Sequence, residues 1–567
     1  MKVERQMTIG SFCLVLHGHM PYVLRHGVWP HGEDWLYEAA AETYLPLLAV
    51  IDECKYLHCN HQLTIGLTPI LLEQLAHKDF KSGFQKYLMD RVNRARTDKM
   101  DFKRRGELQL AQLAQQWDMF YDGLAKQFER IDTDIPKAFV EQMDRGLIQI
   151  LTSSATHAYL PLLLEDSSVR AQVRAGLNSS RRILGFSPTG IWIPEGAYRP
   201  GGQWKSPIPW STKENRVGIG QIIADEGITH FFVENHMIEN SQNHLQKIGW
   251  EQSQNLSNQN NDQTICEPMA VNIQGNGSPK PAAFVRDPEI CTQVWCGLTG
   301  YPADGVYLEF HKKHGKRRGL RYWKVTDKKL GLDEKEPYYP GNISSKIYEH
   351  SQHFCRQVKM RLVENYKQTG RHGIVVACFD AELFGHWWFE GPRFLRDVLL
   401  TLNADPEVQL CTPQTYLDKH PPDKLVSLSE GSWGEGGDHR IWANEKVNWM
   451  WQVEYRCEAL FGKLTYHLPW RSHHALREIL QKAGRELLLL QASDWPFVIS
   501  QGQAIDYAIK RFMAHVARFE CLTDIAEELA RDPKYLSKLN KVQKFEVQDA
   551  EIHDVVFQQI NLNWWNM

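Results

Sequence analysis

Residues 373–392 read GIVVACFDAELFGHWWFEGP. The opening GIVVACF is apolar and rich in β-branched residues without the polar alternation of a half-exposed strand, which marks a strand buried on both faces. It stops at a carboxylate, Asp380, and runs at once into Glu382, His386 and two tryptophans. Similar short apolar runs recur at 12–16, 63–67, 147–151, 190–193, 231–233, 282–285 and 408–410, with helical stretches between them. That alternation predicts βα units around a parallel sheet. The residues closing the runs are His17, Thr68, Thr152, Glu195, Glu234, Arg286, Asp380 and Thr412. In a parallel barrel such positions form one rim, where barrel enzymes place their chemistry.

Working outward, residues 76–145 carry a long charged stretch without strand signals, expected as an inserted helical subdomain that divides the barrel into 1–75 and 146–420. Residues 421–567 are expected to form a C-terminal helical domain, with Ile505, Ala508, Ile509, Phe512, Val516 and Phe519 spaced at 3.6 residues. Residues 241–263, rich in Asn, Gln and Ser, are expected to form a mobile loop after the fifth strand. The 567 residues exceed what one ordinary core fills, in keeping with one large domain plus smaller helical modules.

The balance of 65 basic against 68 acidic residues provides no field for a polyanion, so nucleic acid and anionic membrane are excluded as first partners. The N-terminal sequence lacks a secretory apolar core and no segment approaches a membrane span, which predicts a cytoplasmic protein. Eleven cysteines without a CxxC pair signal neither a disulfide framework nor a zinc cluster. The 19 tryptophans and 20 tyrosines, many beside Gly, Pro, His or acidic residues, suit sugar rings, whose C–H faces lie on aromatic planes. Most of these aromatics are nevertheless expected in the core.

Glycosidic cleavage needs two carboxylates flanking the bond. Asp380 and Glu195, the latter in GIWIPEGAYRPG (190–201), are two strand-end carboxylates on one rim and supply such a pair. Apolar neighbours at Asp380 favour a protonated acid, although a helix N-cap there and a plain surface turn at Glu195 account for the same residues. His17 and His19 form an HxH just past the first strand, with Trp29 beyond. Because no further close-spaced ligands accompany them, hydrogen-bonded histidines lining a polar pocket are preferred to a metal site.

These segments, together with SATHAYLPLL (154–163), VWCGLTGYPADGVYLEFHKK (294–313), SWGEGGDHRIWANEKVNWMW (432–451) and RELLLLQASDWPF (485–497), resemble glycoside hydrolase family 57, in particular its branching members, over nearly the whole chain. The resemblance implies a distorted (β/α)7 barrel with an inserted helical subdomain and a C-terminal helical domain. It implies a retaining enzyme without metal or organic cofactor, which cleaves α-1,4-glucan and transfers the chain to a glucan acceptor. By motif, Glu195 matches the nucleophile and Asp380 the acid/base. His17, His19, His157, Arg286 and Asp304 match polar residues around the scissile bond, and Trp29, Trp295, Trp433 and Trp442 match aromatics lining the glucan cleft.

One departure concerns a loop over the cleft, whose tyrosine tip is associated with transfer in branching members. The corresponding residues 237–266 contain no tyrosine, and Trp250 is the large aromatic of the polar insertion. A lid without its aromatic tip admits more water, which predicts a raised ratio of hydrolysis to branching unless Trp250 substitutes. An α-amylase-type hydrolase of the same family is the second reading, and a non-catalytic glucan-binding protein the third.

Overall fold

The computed structural model describes residues 8–60, 62–209, 213–239, 246–247, 265–273, 279–315 and 318–565. Its centre is a ring of parallel strands: β1 (Gly10–Gly18), β2 (Leu63–Leu67), β3 (Ile148–Leu151), β4 (His230–Glu234), β5 (Ala282–Arg286) and β6 (Gly373–Asp380), in the order β3-β2-β1-β6-β5-β4. Residues 190–192 close the ring as a seventh stave, through parallel bridges from Gly190 to His230 and from Ile191 to Thr152. The barrel is irregular here, since the stave meets each neighbour through one bridge, and β6 and β5 likewise register only at Val376 and Arg286. Glycine is required at its start, because a Cβ on Gly190 would lie 2.2 Å from Nε2 of His230.

The long β1 pairs with the whole of β6, from Gly10 to His17, and its register sets His17 opposite Asp380 at the rim. On its other edge, the first half of β1 pairs with β7 (Val408–Leu410) and the second half with β2. Strand β7 therefore ends level with Phe12, well below the rim. Thr412, expected on the rim, instead caps the short helix Pro413–Leu417, its hydroxyl accepting from the Thr415 amide at 3.2 Å.

The charged insertion is a helical hairpin, Lys78–Arg104 and Leu108–Arg130. Phe80, Phe84, Leu88, Val92 and Ala95 on one helix, and Ala114, Trp117, Tyr121, Leu124 and Phe128 on the other, fall at helical spacing and are buried, while most of the charged residues face outward, Arg91 and Asp98 being buried exceptions. Helix Ile135–Asp144, capped by Asp134, then feeds β3.

The sheet runs past the boundary expected at 420, because Lys424–Val426 pairs in parallel with Met269–Val271. The helical C-terminal region comprises Asn448–His467, His474–Leu490, Asp494–Ser500, Ile505–Arg531 and Lys541–His553. Ala508, Phe512, Val516 and Phe519 are buried on one stripe, but Ile505, at the very start of its helix, is 40% exposed. Of residues 241–263 only 246–247 belong to the described part, pairing with Lys424 and Leu425; Trp250 lies outside the described residues. No described helix is long and apolar enough to cross a membrane. None of the eleven cysteines, all of them among the described residues, is joined in a disulfide.

Candidate active site

Glu195 follows the seventh stave on a tight turn that Pro194 opens, and its backbone is left-handed at φ 60°, ψ 20°. A non-glycine residue there costs on the order of 1 kcal/mol and persists only where its surroundings impose it. Trp433 imposes it twice: its amide donates to the Glu195 carbonyl at 3.0 Å, and its indole N–H donates to Oε2 at 2.9 Å. The other oxygen, Oε1, accepts from the Ser493 hydroxyl at 3.0 Å. His157, also left-handed at φ 58°, places Nδ1 3.6 Å from the same oxygen.

Burial keeps the His17 and His157 imidazoles neutral, holding both well below the ordinary histidine range. Their hydrogen bonds then fix one consistent set of tautomers. With the Ser493 proton given to Glu195, Oγ of Ser493 accepts from Nδ1–H of His157 at 2.9 Å. Nε2 of His157 then accepts from Nε2–H of His17 at 3.0 Å. This leaves Nδ1 of His17 as the buried acceptor without a partner among the described residues. Gly66 crowds that atom, since a Cβ there would stand 3.2 Å from it. The relay ends at Glu195 and delivers a hydrogen bond to its anion.

His19 behaves oppositely. Burial disfavours its charge, but the Asp494 carboxylate, 3.0 Å from Nε2, outweighs burial and raises the imidazole above its ordinary value. Its Nδ1 faces the Thr68 hydroxyl at 3.1 Å, and its ring stacks on His157 with centroids 3.9 Å apart. The backbone N–H of His19 donates to Glu382 at 3.0 Å, and the Tyr44 hydroxyl donates to the same carboxylate.

The two carboxylates of interest differ in what surrounds them. Burial pushes Glu195 up to about 7, while the Trp433 indole, the Ser493 hydroxyl and the His19 charge hold it down against a small push from Asp494. Asp380, at the end of β6, is driven well above the carboxylate range by burial, by Glu382 and by the charge of Glu195 itself; His19 and Arg286 offset this in part. No described residue donates a hydrogen bond to Asp380, whereas Glu195 receives two. As the pair loses its first proton, the anion therefore settles on Glu195 and the proton stays on Asp380.

Of the other expected residues, Arg286 forms a bidentate pair with Glu234 at 2.6 and 3.0 Å, and reaches Asp380 through its charge. Trp433 joins the nucleophile to an aromatic wall: its ring lies 5.0 Å from Trp192 and meets Trp295 edge-on at 5.9 Å. Trp295 and Trp29 are open, at 37% and 45% exposure. Trp442 departs from the expectation that it lines the cleft. It is 1% exposed, stacked on Tyr159 at 4.5 Å and on Phe497 at 6.2 Å, so no face is left for a sugar and it braces the wall from behind. Asp304 hydrogen-bonds to neither carboxylate; its Oδ1 accepts from the Val306 amide, and Lys346 and His350 lie 3.7 Å away.

Two residues escaped selection from the sequence, Ser493 and Asp494. A Ser-Asp pair opening a helix reads as a cap, which conceals it. Here Ser493 makes no capping hydrogen bond, and its side chain turns to Glu195 instead. The backbone N–H of Ser493 donates to the His157 carbonyl at 3.1 Å, so the C-terminal helices are tied to the rim where they complete it.

Two places gather metal-ligand atoms. At the rim, both nitrogens of His19 and Nε2 of His17 are already engaged. Away from it, Glu486, His515 and Asp554 converge in the C-terminal domain, but Nδ1 of His515 meets Glu486 at 2.8 Å and Arg518 meets Asp554 at 2.5 Å. A guanidinium bonded to one of the three groups opposes a cation there.

Residues 13–265 match Glycosyl hydrolase family 57, and residues 455–565 match the family described as 1,4-alpha-glucan branching enzyme, C-terminal. The chain is 36% identical to a 1,4-alpha-glucan branching enzyme of Thermococcus kodakarensis, over 92% of this chain and 74% of that one. It is 29% identical to a probable 1,4-alpha-glucan branching enzyme of Mycobacterium tuberculosis, over 89% and 90%. The structure resembles the GH57-type branching enzyme of Pyrococcus horikoshii with a TM-score of 0.86 at 35% identity, covering 98% and 97% of the two chains. It resembles an α-amylase of Thermotoga maritima with a TM-score of 0.81 at 26% identity, covering 99% of each.

Proposed function

From the premise that the chain belongs to glycosyl hydrolase family 57, we propose that it is a 1,4-α-glucan branching enzyme working by double displacement with Glu195 and Asp380. The observation that supports this most directly is the unequal treatment of two buried carboxylates: hydrogen-bond donors hold the charge on Glu195, whereas Asp380 receives no hydrogen bond from a described residue, and burial with the charges of Glu382 and Glu195 outweighs His19 and Arg286 there.

Glu195 attacks the anomeric carbon of an α-1,4-linked glucosyl unit as Asp380 gives its proton to the departing 4-oxygen. The C–O bond breaks, and the chain is held as a glycosyl ester on Glu195. Asp380, now a carboxylate, removes the proton of an acceptor 6-hydroxyl, which attacks the same carbon and expels Glu195. The result is an α-1,6 branch with retained configuration, an outcome that calls for carboxylates roughly 5–5.5 Å apart. Buried neutral His17 and His157 let the Ser493 hydroxyl serve Glu195 without adding a fixed charge that would over-stabilise the carboxylate against attack.

Water in place of the acceptor gives hydrolysis. The likeness to the Thermotoga α-amylase and the absence of tyrosine from 237–266 favour a share of that outcome. Incubation with amylose, counting reducing ends and α-1,6 linkages in parallel, separates the readings: branching raises α-1,6 linkages with few new reducing ends, and hydrolysis raises reducing ends alone. Neither product would dismiss both.

A further inference from the structure

Helix Asp166–Leu184 follows β3 on the outside of the barrel, beginning near the rim and running away from it. Its residue Asn178 lies about 18 Å along the helix from that beginning, at 1.5 Å per residue. There the helix meets the last turn of the chain, Leu562–Trp565. Trp565 anchors this turn: it is 5% exposed, with its ring edge-on to Phe461 at 4.9 Å. Its neighbour Trp564 is half-buried and lines two contiguous cavities, of about 660 and 360 Å³, both shared with Asn178 and Arg181.

The polar atoms around Trp564 are incompletely used. The side chains of Asn178 and Gln559 hydrogen-bond no described residue. Gln481 and Gln558 donate to the Ile560 and Asp554 carbonyls at 2.6 and 2.8 Å, which leaves their side-chain oxygens facing no donor. Arg181 is exposed and gives Nε to the Ser187 hydroxyl at 2.8 Å, while its terminal amino groups hydrogen-bond no described residue. The carboxylate on this wall, Glu226, is held by Arg170 at 3.0 Å and Arg174 at 2.8 Å.

The carboxylate in the groove is already paired with two arginines, which leaves a cation only neutral amide oxygens, and one guanidinium is a poor seat for a polyanion. Too many amides line it for an apolar peptide. Open amide donors and acceptors around one indole suit a neutral ligand with vicinal hydroxyls and a C–H face. We propose that this groove binds a segment of α-1,4-glucan on the outer wall of the barrel, apart from the catalytic rim. The proposal rests on the reading that the chain acts on α-glucan. A polymer held there has a raised effective concentration of its own ends and branches at the rim, whereas a short oligosaccharide cannot span the two places.

The test uses the full-length Glu195→Gln protein labelled with 5-fluorotryptophan, the Trp564 fluorine signal being identified by its loss in Trp564→Phe. Saturating maltoheptaose is expected to shift that signal. In gels containing glycogen, Trp564→Ala and the double variant Asn178→Ala/Gln559→Ala are expected to bind roughly fivefold more weakly than the parent, as for loss of one ring stack or its polar frame. The double variant alters exposed or half-exposed amides, so it separates lost binding from lost folding. A Trp564 signal unmoved by maltoheptaose, or parental retardation of both variants, overturns the proposal. If the wild-type protein converts amylose while either of those results holds, the groove alone is wrong; if it neither converts amylose nor is retarded by glycogen, both readings fall together.

Discussion

Ser493→Ala removes one of two donors to Glu195 and leaves the Trp433 indole in place. A hydrogen bond to a charged group is worth about 1.5 kcal/mol, and one pKa unit is about 1.4 kcal/mol, so the carboxyl should rise by about one unit. Glu195 must be ionised to attack, so activity is lost as pH falls through its value of about 7. The acid limb of kcat/KM should therefore move about one unit upward. At pH 7 the ionised fraction falls from about one half to about one tenth, a fivefold loss that should shrink as the pH is raised. The alkaline limb belongs to Asp380, which must be protonated and which burial keeps well above the carboxylate range, so that limb should stay in place. Malto-oligosaccharide cleavage measured from pH 5 to 9, with Ser493→Thr as the variant that keeps a hydroxyl, reads both limbs. A uniform loss of rate with an unmoved acid limb would refute the reasoning, because Ser493 would then be acting on geometry and not on the charge of Glu195.

Glu195→Gln should reduce turnover by several orders of magnitude with near-normal folding and glucan binding, since only the attacking group is lost; wild-type-like turnover rules the assignment out. Asp380→Asn should be as damaging with glucan donors, yet a glycosyl fluoride should still label Glu195, as found by peptide mapping. Gly385→Ala should be destabilising by more than about 3 kcal/mol, because φ is 116° and a Cβ would sit 1.7 Å from the Glu42 carbonyl oxygen; the unfolding midpoint in urea reads this. Extensive chelation should leave activity unchanged, since the facing nitrogens of His17 and His19 already hold His157, Thr68 and Asp494; activity restored by one divalent ion would contradict it.

Much of the barrel was legible because buried parallel strands need continuous apolar runs, and such runs ending in polar residues survive as a pattern along one sequence. That pattern located β1 to β7 and the stave at 190–192, and it put Glu195 and Asp380 at strand ends. It could not tell that β7 pairs with the lower half of β1, because periodicity carries no vertical register; Thr412 was thus misplaced onto the rim. Nor could it tell an open tryptophan from a closed one, and Trp442 proved to be stacked inside the wall.

By itself the sequence determined which segments bury, which turn, and which carboxylates end strands, since these follow from local composition and spacing. Only the tertiary structure decided how those carboxylates differ. One donor to Glu195 comes from Ser493, 298 residues away, and the carboxylate that favours a charge on His19 comes from Asp494, 475 residues away. Proton affinity in a buried site is set by the groups that packing brings within a few ångströms, and separation along the chain carries no information about that distance.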